Sequence, residues 1–406
     1  MIKWVVEKIK RLANKNYIKI TDVLTEGKKL IIKYDVNGDV CQFFEKDKSM
    51  EIEYDFKLDK ISKSILVIPF LSLFLPVAWI TKSNIILDEI DESFLNNIDK
   101  IRNAFNNMYE ENLFKKIKIK SKKIVKNEIK PIRSSMFFSG GVDSLDTLCT
   151  NFDKNPLLIM IWGSDIWLED IKGWNTAKQN MDKISKKLKK NKTYIKSNFR
   201  KTINELKLNE VYEEQLGDNW WHGVEHGMAL LGHIAPLVIK YKIAVHYIPG
   251  TFSNNDKDVK CASYPTIDEN FKVANCSVIH DGFNYTRLDK VKNIVSFSKD
   301  NKTGIKFRTC YKERDDKMNC CDCEKCFRTI MELVSIGENP EKYGYEYNKE
   351  VINKIKSHLK NNKFEHEILS NMWFDIQQEI NKNKYFKVYD LSWINDFDFK
   401  SKNSKE

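Results

Sequence analysis

The stretch Phe137–Thr147, FFSGGVDSLDT, most constrains what this chain can fold into. An apolar run ends in two adjacent glycines, and the chain turns amphipathic directly afterwards, which is the pattern of a strand, a tight loop and a helix. Gly140 and Gly141 lack a Cβ, so the backbone can turn sharply and bring its N–H groups close to an anion. The helix that follows adds the positive end of its dipole. Ser139 and Ser144 supply hydroxyl donors, and Asp143 beside a phosphate fits a divalent cation bridging the two. The segment reads as a phosphate cradle.

The same alternation continues along the chain. Strands at SSMFF, PLLIMIWG, KTYIKSN and IAVHYIPG are separated by helices running to Thr150, at GWNTAKQNMDKISKKLKK and at EHGMALLGHIAPLVIKY. Such a pattern implies an α/β fold, a doubly wound parallel sheet with its ligand crevice at the carboxyl ends of the strands. This domain is expected over residues 128–338.

Residues 1–127 read as an N-terminal α+β domain. LIIKYDVNGDVCQFFE has strand-like runs around Asn37, Gly38 and Asp39, a hairpin signal. Phe94, Leu95, Ile98, Ile101, Phe105 and Met108 recur at helical spacing behind Asp91 or Ser93 as cap. Residues 339–406 read as a C-terminal helical appendage with a polar tail from Lys400. The run Ile65–Ile80, ILVIPFLSLFLPVAWI, is shorter than the roughly 20 residues a spanning helix needs and carries Pro69 and Pro76, so it reads as buried strands and turns.

Composition sets the class. With 42% hydrophobic and 31% charged residues the chain is a folded, soluble protein, and its 406 residues suggest two or three units. The net charge of +11 rests almost wholly on lysine, since there are only eight arginines, so it reads as a compositional bias and nucleic acid is not favoured as a partner. Lysine runs such as Lys115–Lys130 read as a solvated face. Met1–Arg11 has no continuous apolar core, so neither a signal peptide nor a membrane is expected. Nine cysteines, five of them between Cys310 and Cys326, indicate a metal pattern in a reducing cytoplasm.

Cys310, Cys320, Cys323 and Cys326 are spaced C-x9-C-x2-C-x2-C, and two-residue gaps let thiolates converge on one tetrahedral ion. Four thiolates leave no open position, so the expectation is structural Zn2+, with an iron–sulfur cluster as the alternative. Cys321 can replace Cys320 as ligand or remain a free thiol.

SGGVDS lacks the lysine of the usual P-loop and does not fit G-x-G-x-x-G. It closely resembles the signature of the PP-loop ATP pyrophosphatases, which have the adenine nucleotide alpha-hydrolase-like fold. The resemblance implies cleavage of ATP between its α and β phosphates, with Mg2+, and adenylation of a carboxylate or amide for attack by a nitrogen nucleophile. Ser139, Gly140, Gly141, Val142, Asp143 and Ser144 would bind ATP. In this family the end of the second strand contacts the adenine, here at Trp162 and Gly163. Asp165 would approach the ribose or metal, or cap the following segment. Lys325 and Arg328 would steady charge on the leaving pyrophosphate.

The cysteine spacing downstream makes the chain resemble 7-cyano-7-deazaguanine synthase more narrowly, over roughly Ser134–Ser335. On that resemblance Tyr264, Pro265 and Asp268 approach a deazaguanine, and Arg287 stands where the family has a lysine. The flanking units depart from that synthase. So does GDNWWHGVEHGMAL, where Trp220, Trp221, His222, Glu225 and His226 gather at the start of a helix.

Aromatic faces there suit a flat heterocycle, with Glu225 or His226 for polar recognition. A metal held by His222 and His226, or ordinary packing, are the alternatives. Other readings of the whole chain are a synthase-like modifier of a protein or polysaccharide precursor in a bacterial defence system, recognising a protein partner through its added units. A tRNA-modifying PP-loop enzyme and a non-catalytic nucleotide-binding module complete the set.

Overall fold

The computed structural model describes residues 16–45, 49–256, 259–310, 318–361, 367–382 and 390–399. Met1–Arg11, Arg314 and the tail from Lys400 lie outside the described residues.

The chain opens with β1 (Tyr17–Glu26) and β2 (Lys29–Asn37), an antiparallel pair turning at Gly27, whose φ is +61°. The hairpin expected around Gly38 is therefore misplaced. After Asn37 the chain enters a 3-10 turn (Asp39–Phe43), and the Asp39 N–H donates to Asn16 Oδ1 at 2.9 Å. β3 (Met50–Glu53) follows.

α1 (Ile68–Ile80) corrects the expectation of strands and turns for the run ending at Ile80. Every residue of it is buried, so no amphipathic period marks the helix. Pro69 lies in the first turn, where an N–H has no partner to lose, and Pro76 is tolerated in the interior because the surroundings enclose the helix.

β4 (Asn84–Asp91) leads into α2 (Glu92–Met108), and Asp91 Oδ1 accepts from the Phe94 N–H at 2.9 Å as the cap. β5 (Ile119–Val125) closes this part. Then come β6 (Arg133–Phe137), α3 (Val142–Thr150), β7 (Leu157–Trp162), α4 (Ile171–Lys187), β8 (Lys192–Ser197) and α5 (Glu205–Leu216).

A π-helical turn over Trp221–Glu225 precedes α6 (His226–His233), and α7 (Ala235–Tyr241) follows, broken from it at Ile234 with Pro236 in its first turn. β9 (Ile243–Pro249), β10 (Lys272–Val273), β11 (Cys276–Asp281), α8 (Arg287–Asp300), α9 (Glu324–Ser335), α10 (Lys349–Asn361) and α11 (Glu367–Lys382) complete the described elements used below.

All eleven strands form one mixed, mostly parallel sheet in the order β10-β11-β9-β6-β7-β8-β3-β2-β1-β4-β5. The strands before residue 127 join those after it through antiparallel pairing of β3 with β8, Ile52 opposite Ser197. Both faces are covered. Leu157, Ile159 and Ile161 of β7 point into a core shared with α1, α2, α6 and α7, while Leu158 and Met160 point into one shared with α3, α4, α8, α9 and α10. Burial on both faces explains the unbroken apolar run of β7.

α1 and α6 pack so closely that a Cβ on Gly232 would lie 2.6 Å from the Ser72 Cβ. No helix among the described residues is long and apolar enough to cross a membrane.

Candidate functional site

Strands β8, β7, β6, β9 and β11 run parallel in that spatial order, so the order of connection reverses between β6 and β9. Ligands in open α/β sheets bind at such a reversal, outside the carboxyl ends of the strands. The glycine loop leaves β6 at this point. Gly140 has φ +79°, and a Cβ there would lie 2.4 Å from Asn180 Nδ2.

Two hydroxyls organise the loop. Ser144 Oγ accepts from the N–H groups of Ser139 (3.3 Å) and Gly140 (3.1 Å) and donates to the Gly141 carbonyl (3.1 Å). Ser139 Oγ accepts from the Gly141 N–H at 3.3 Å. Three successive backbone donors are thus satisfied within the loop, and Gly141 starts α3 with no side-chain cap, which leaves that helix end open. From outside, the Arg308 N–H donates to the Gly140 carbonyl at 2.9 Å and clamps the loop.

A cavity of about 1040 Å³ opens over the loop, lined by Ser139, Gly141, Val142 and Asp143 together with Arg200, Arg287, Arg308 and Lys325. Two of these arginines are held by carboxylates. Arg200 forks onto Glu205 at 2.6 and 2.5 Å, and Arg287 meets Glu332 at 3.1 Å and donates to Thr329 Oγ1 at 3.1 Å. Burial and then the neighbouring Arg287 charge push the Lys325 ammonium down to about 8. Asp143 Oδ1 faces Lys290 Nζ at 3.3 Å. Asp165 lines the cavity, whereas the cap of α4 is Asp170, which accepts from the Gly173 N–H at 2.8 Å.

The structure brings together part of the expected set. Ser139, Gly141, Val142, Asp143 and Lys325 line the cavity, with Gly140 and Ser144 inside the loop. Arg328 does not line it, pairing with Glu324 at 3.3 Å instead. Trp162 stacks on Trp174 with ring centroids 5.2 Å apart, and the Gly163 N–H donates to the Ile166 carbonyl at 3.0 Å.

Trp221, His222, Glu225, His226, Tyr264 and Asp268 lie off the cavity wall. Glu225 is buried with neither carboxyl oxygen partnered, and burial pushes its pKa well up. Asp268 Oδ2 accepts from Ser263 Oγ and faces His280 Nδ1, both at 2.7 Å. Tyr264 packs edge-on against Phe283.

Arg200 and Lys290 were missed in the sequence. An arginine just after the third strand of a chain so rich in lysine was the available signal for Arg200, because only its planar fork can bind two oxygens at once.

The sulfurs of Cys310, Cys320, Cys323 and Cys326 lie within 4.8 Å of one another, and Cys320 Sγ is 3.8 Å from Cys326 Sγ. Tetrahedral zinc at about 2.3 Å from each thiolate would set the sulfurs about 3.8 Å apart, so the donor set fits that ion. Backbone N–H groups already point at two sulfurs, Cys320 N–H at Cys310 (3.4 Å) and Asp322 N–H at Cys320 (3.3 Å). Cys321 is turned away with φ +51°, its sulfur accepting from the Glu346 N–H at 3.2 Å, so Cys320 is the cluster member. Arg308 and Cys310 are two residues apart, which ties the cluster to the glycine loop. No family model, curated protein or solved structure matches this chain.

Proposed function

We propose that this protein is an ATP-dependent, AMP-forming enzyme of the carbon–nitrogen ligase kind, which adenylates a carboxylate or amide for attack by a nitrogen nucleophile. One observation carries the reading: the glycine loop at the sheet's reversal, with the start of α3 uncapped by any side chain, borders a cavity that Arg200, Arg287, Arg308 and Lys325 also line. Oxygens of a polyphosphate suit such a lining. The uncapped start of α3 and the loop hydroxyls would hold the phosphates, and the guanidinium groups would stabilise charge developing on the departing pyrophosphate.

Asp143, with Asp165 of the same cavity lining, would hold Mg2+, which offsets phosphate charge when bound. Arg328 drops out of the catalytic set and Arg287 and Arg308 take its place. The four thiolates would hold zinc in a closed site that shapes the chain around Arg308 and takes no part in the chemistry.

The substrate follows the resemblance to 7-cyano-7-deazaguanine synthase, a carboxylate on a flat heterocycle. The test is incubation with ATP, Mg2+ and 7-carboxy-7-deazaguanine, with and without ammonia, reading AMP and the modified base by mass spectrometry. If Asp143→Ala and Ser144→Ala both left pyrophosphate release unchanged, the mechanism would be wrong.

A further inference from the structure

Behind the cavity wall, Asp218, His222, His226 and Cys261 form a connected set that the adenylation chemistry does not use. The π-helical turn over Trp221–Glu225 sets the His222 and His226 rings one above the other, 5.8 Å apart and 20° from parallel. His226 Nδ1 lies 3.0 Å from the Trp221 carbonyl, which can only accept, so Nδ1 carries the proton. That leaves Nε2 for Cys261 Sγ, 3.8 Å away. His222 Nδ1 is bonded to the Asp218 carboxylate, which orients that ring in the same manner.

A thiol, a base whose tautomer is set by a carbonyl, and a second imidazole oriented by a carboxylate make up the arrangement of an activated nucleophile. We propose that Cys261 is a thiolate nucleophile that takes the activated acyl group as a thioester before the nitrogen nucleophile receives it.

The charge balance around the sulfur agrees. Burial works against the thiolate, but the His226 charge and hydrogen bonds from His222 and His226 outweigh it and bring Cys261 down to about 6. The Asp218 partner raises His222 to about 10, so that ring stays cationic at neutral pH. Tyr109, which caps the end of α2, donates its O–H to the Gly223 carbonyl at 2.8 Å, and burial raises its phenol. A metal shared by the three ligand atoms is the competing arrangement, but among the described residues only the four clustered cysteines converge closely enough.

The site stands next to the cavity. Arg200 lines the cavity and lies 3.8 Å above the Trp221 ring, which is 5.7 Å from the His226 ring. On the other side Phe252 packs on His222, two residues beyond Gly250, whose carbonyl accepts from Lys290.

The step balances without an outside oxidant or reductant. Sulfur attacks the acyl carbon of the adenylate, a C–S bond forms as the C–O bond to AMP breaks, and AMP leaves with the electron pair. The amine or ammonia then forms the C–N bond as the C–S bond breaks. Thiolate is regenerated, and the proton lost by nitrogen passes through His226 Nε2 to solvent.

The acyl donor rests on the AMP-forming reading, but the nucleophile is tested without ATP. Absorbance at 240 nm is titrated in the wild type and in Cys261→Ser, and both are mixed with p-nitrophenyl acetate. The difference titration should show one thiolate step near pH 6 that moves toward the ordinary thiol range in His226→Gln. Wild-type protein should release a stoichiometric burst of p-nitrophenolate and carry the acetyl group on the Cys261 peptide, and the burst should fall at least tenfold in His226→Gln.

A flat difference titration, a burst that survives in Cys261→Ser, or loss of a bound zinc equivalent in that variant overturns the proposal. Carboxylate-dependent ATP–pyrophosphate exchange is measured on the wild type alone. Its absence beside an intact burst counts against the AMP-forming reading and not against the nucleophile.

Discussion

Lys290 Nζ stands 3.3 Å from Asp143 Oδ1 and 2.6 Å from the Gly250 carbonyl, so one ammonium ties the acid of the glycine loop to the end of β9. Its side chain is almost fully buried, while Asp143 remains partly open to the cavity. Removing the cation leaves the Gly250 carbonyl unpaired and frees the carboxylate to swing. Lys290→Met should therefore cost about 1–3 kcal/mol in urea unfolding. It should also lower AMP formation more than Lys172→Met, a change at a lysine that lines the cavity.

Cys320→Ser should remove zinc and lower the thermal midpoint, because it takes one of four converging sulfurs from the donor set. Cys321→Ser should keep one zinc per chain, since that sulfur bonds the Glu346 N–H instead. Metal analysis of the two purified variants separates the adjacent cysteines. The loss in Cys320→Ser should extend to AMP formation, because the Arg308 N–H that clamps Gly140 lies two residues from Cys310.

Legibility followed the range of the interactions. The glycine loop and the strand–helix alternation rest on local period and turn chemistry, and β6, α3, β7 and α4 stand where the pattern puts them. α1 was illegible because a helix buried on every side carries no period, and its two prolines imitate a loop. Choosing Cys320 over Cys321 depends on one backbone angle that spacing cannot encode.

The approach of Cys261 to His226 joins residues 35 positions apart, and β3 meets β8 across a still longer separation. Arg328 sits in the expected helix but faces Glu324 rather than the cavity, a matter of helix rotation that nearest neighbours do not reveal.

Two buried histidines predict acid sensitivity. Burial pushes His246 down to about 3 and His233 down to about 4, while the unfolded chain keeps values near 6.5. Below about pH 6.5 the unfolded state takes up protons that the folded state refuses, so their contribution is complete above that pH and is lost progressively as pH falls toward 4. At pH 5.5 each histidine should cost about 1.4 kcal/mol. Urea unfolding of the wild type and of His246→Asn at pH 7.5 and 5.5 checks this: the variant should lose about 1.4 kcal/mol less than the wild type on acidification.

Gly163 and Gly140 both have positive φ, at +101° and +79°, yet they should respond differently to alanine. At Gly163 a Cβ would lie 1.9 Å from the Ser197 carbonyl oxygen, which is backbone at the end of β8, where Ser197 pairs with Ile52 of β3, so it cannot move without disturbing that pairing. At Gly140 the obstacle is Asn180 Nδ2 at 2.4 Å, the end of a side chain that can rotate away.

Gly140→Ala should therefore cost about 1–2 kcal/mol, close to the left-handed backbone penalty alone, and Asn180→Ala in the same chain should relieve the steric part. Gly163→Ala should cost at least about 3 kcal/mol, with no single side-chain change restoring it. Urea unfolding of the three variants decides the point: equal losses at the two glycines would mean that backbone angle alone, and not the approach of β8, sets the cost at Gly163.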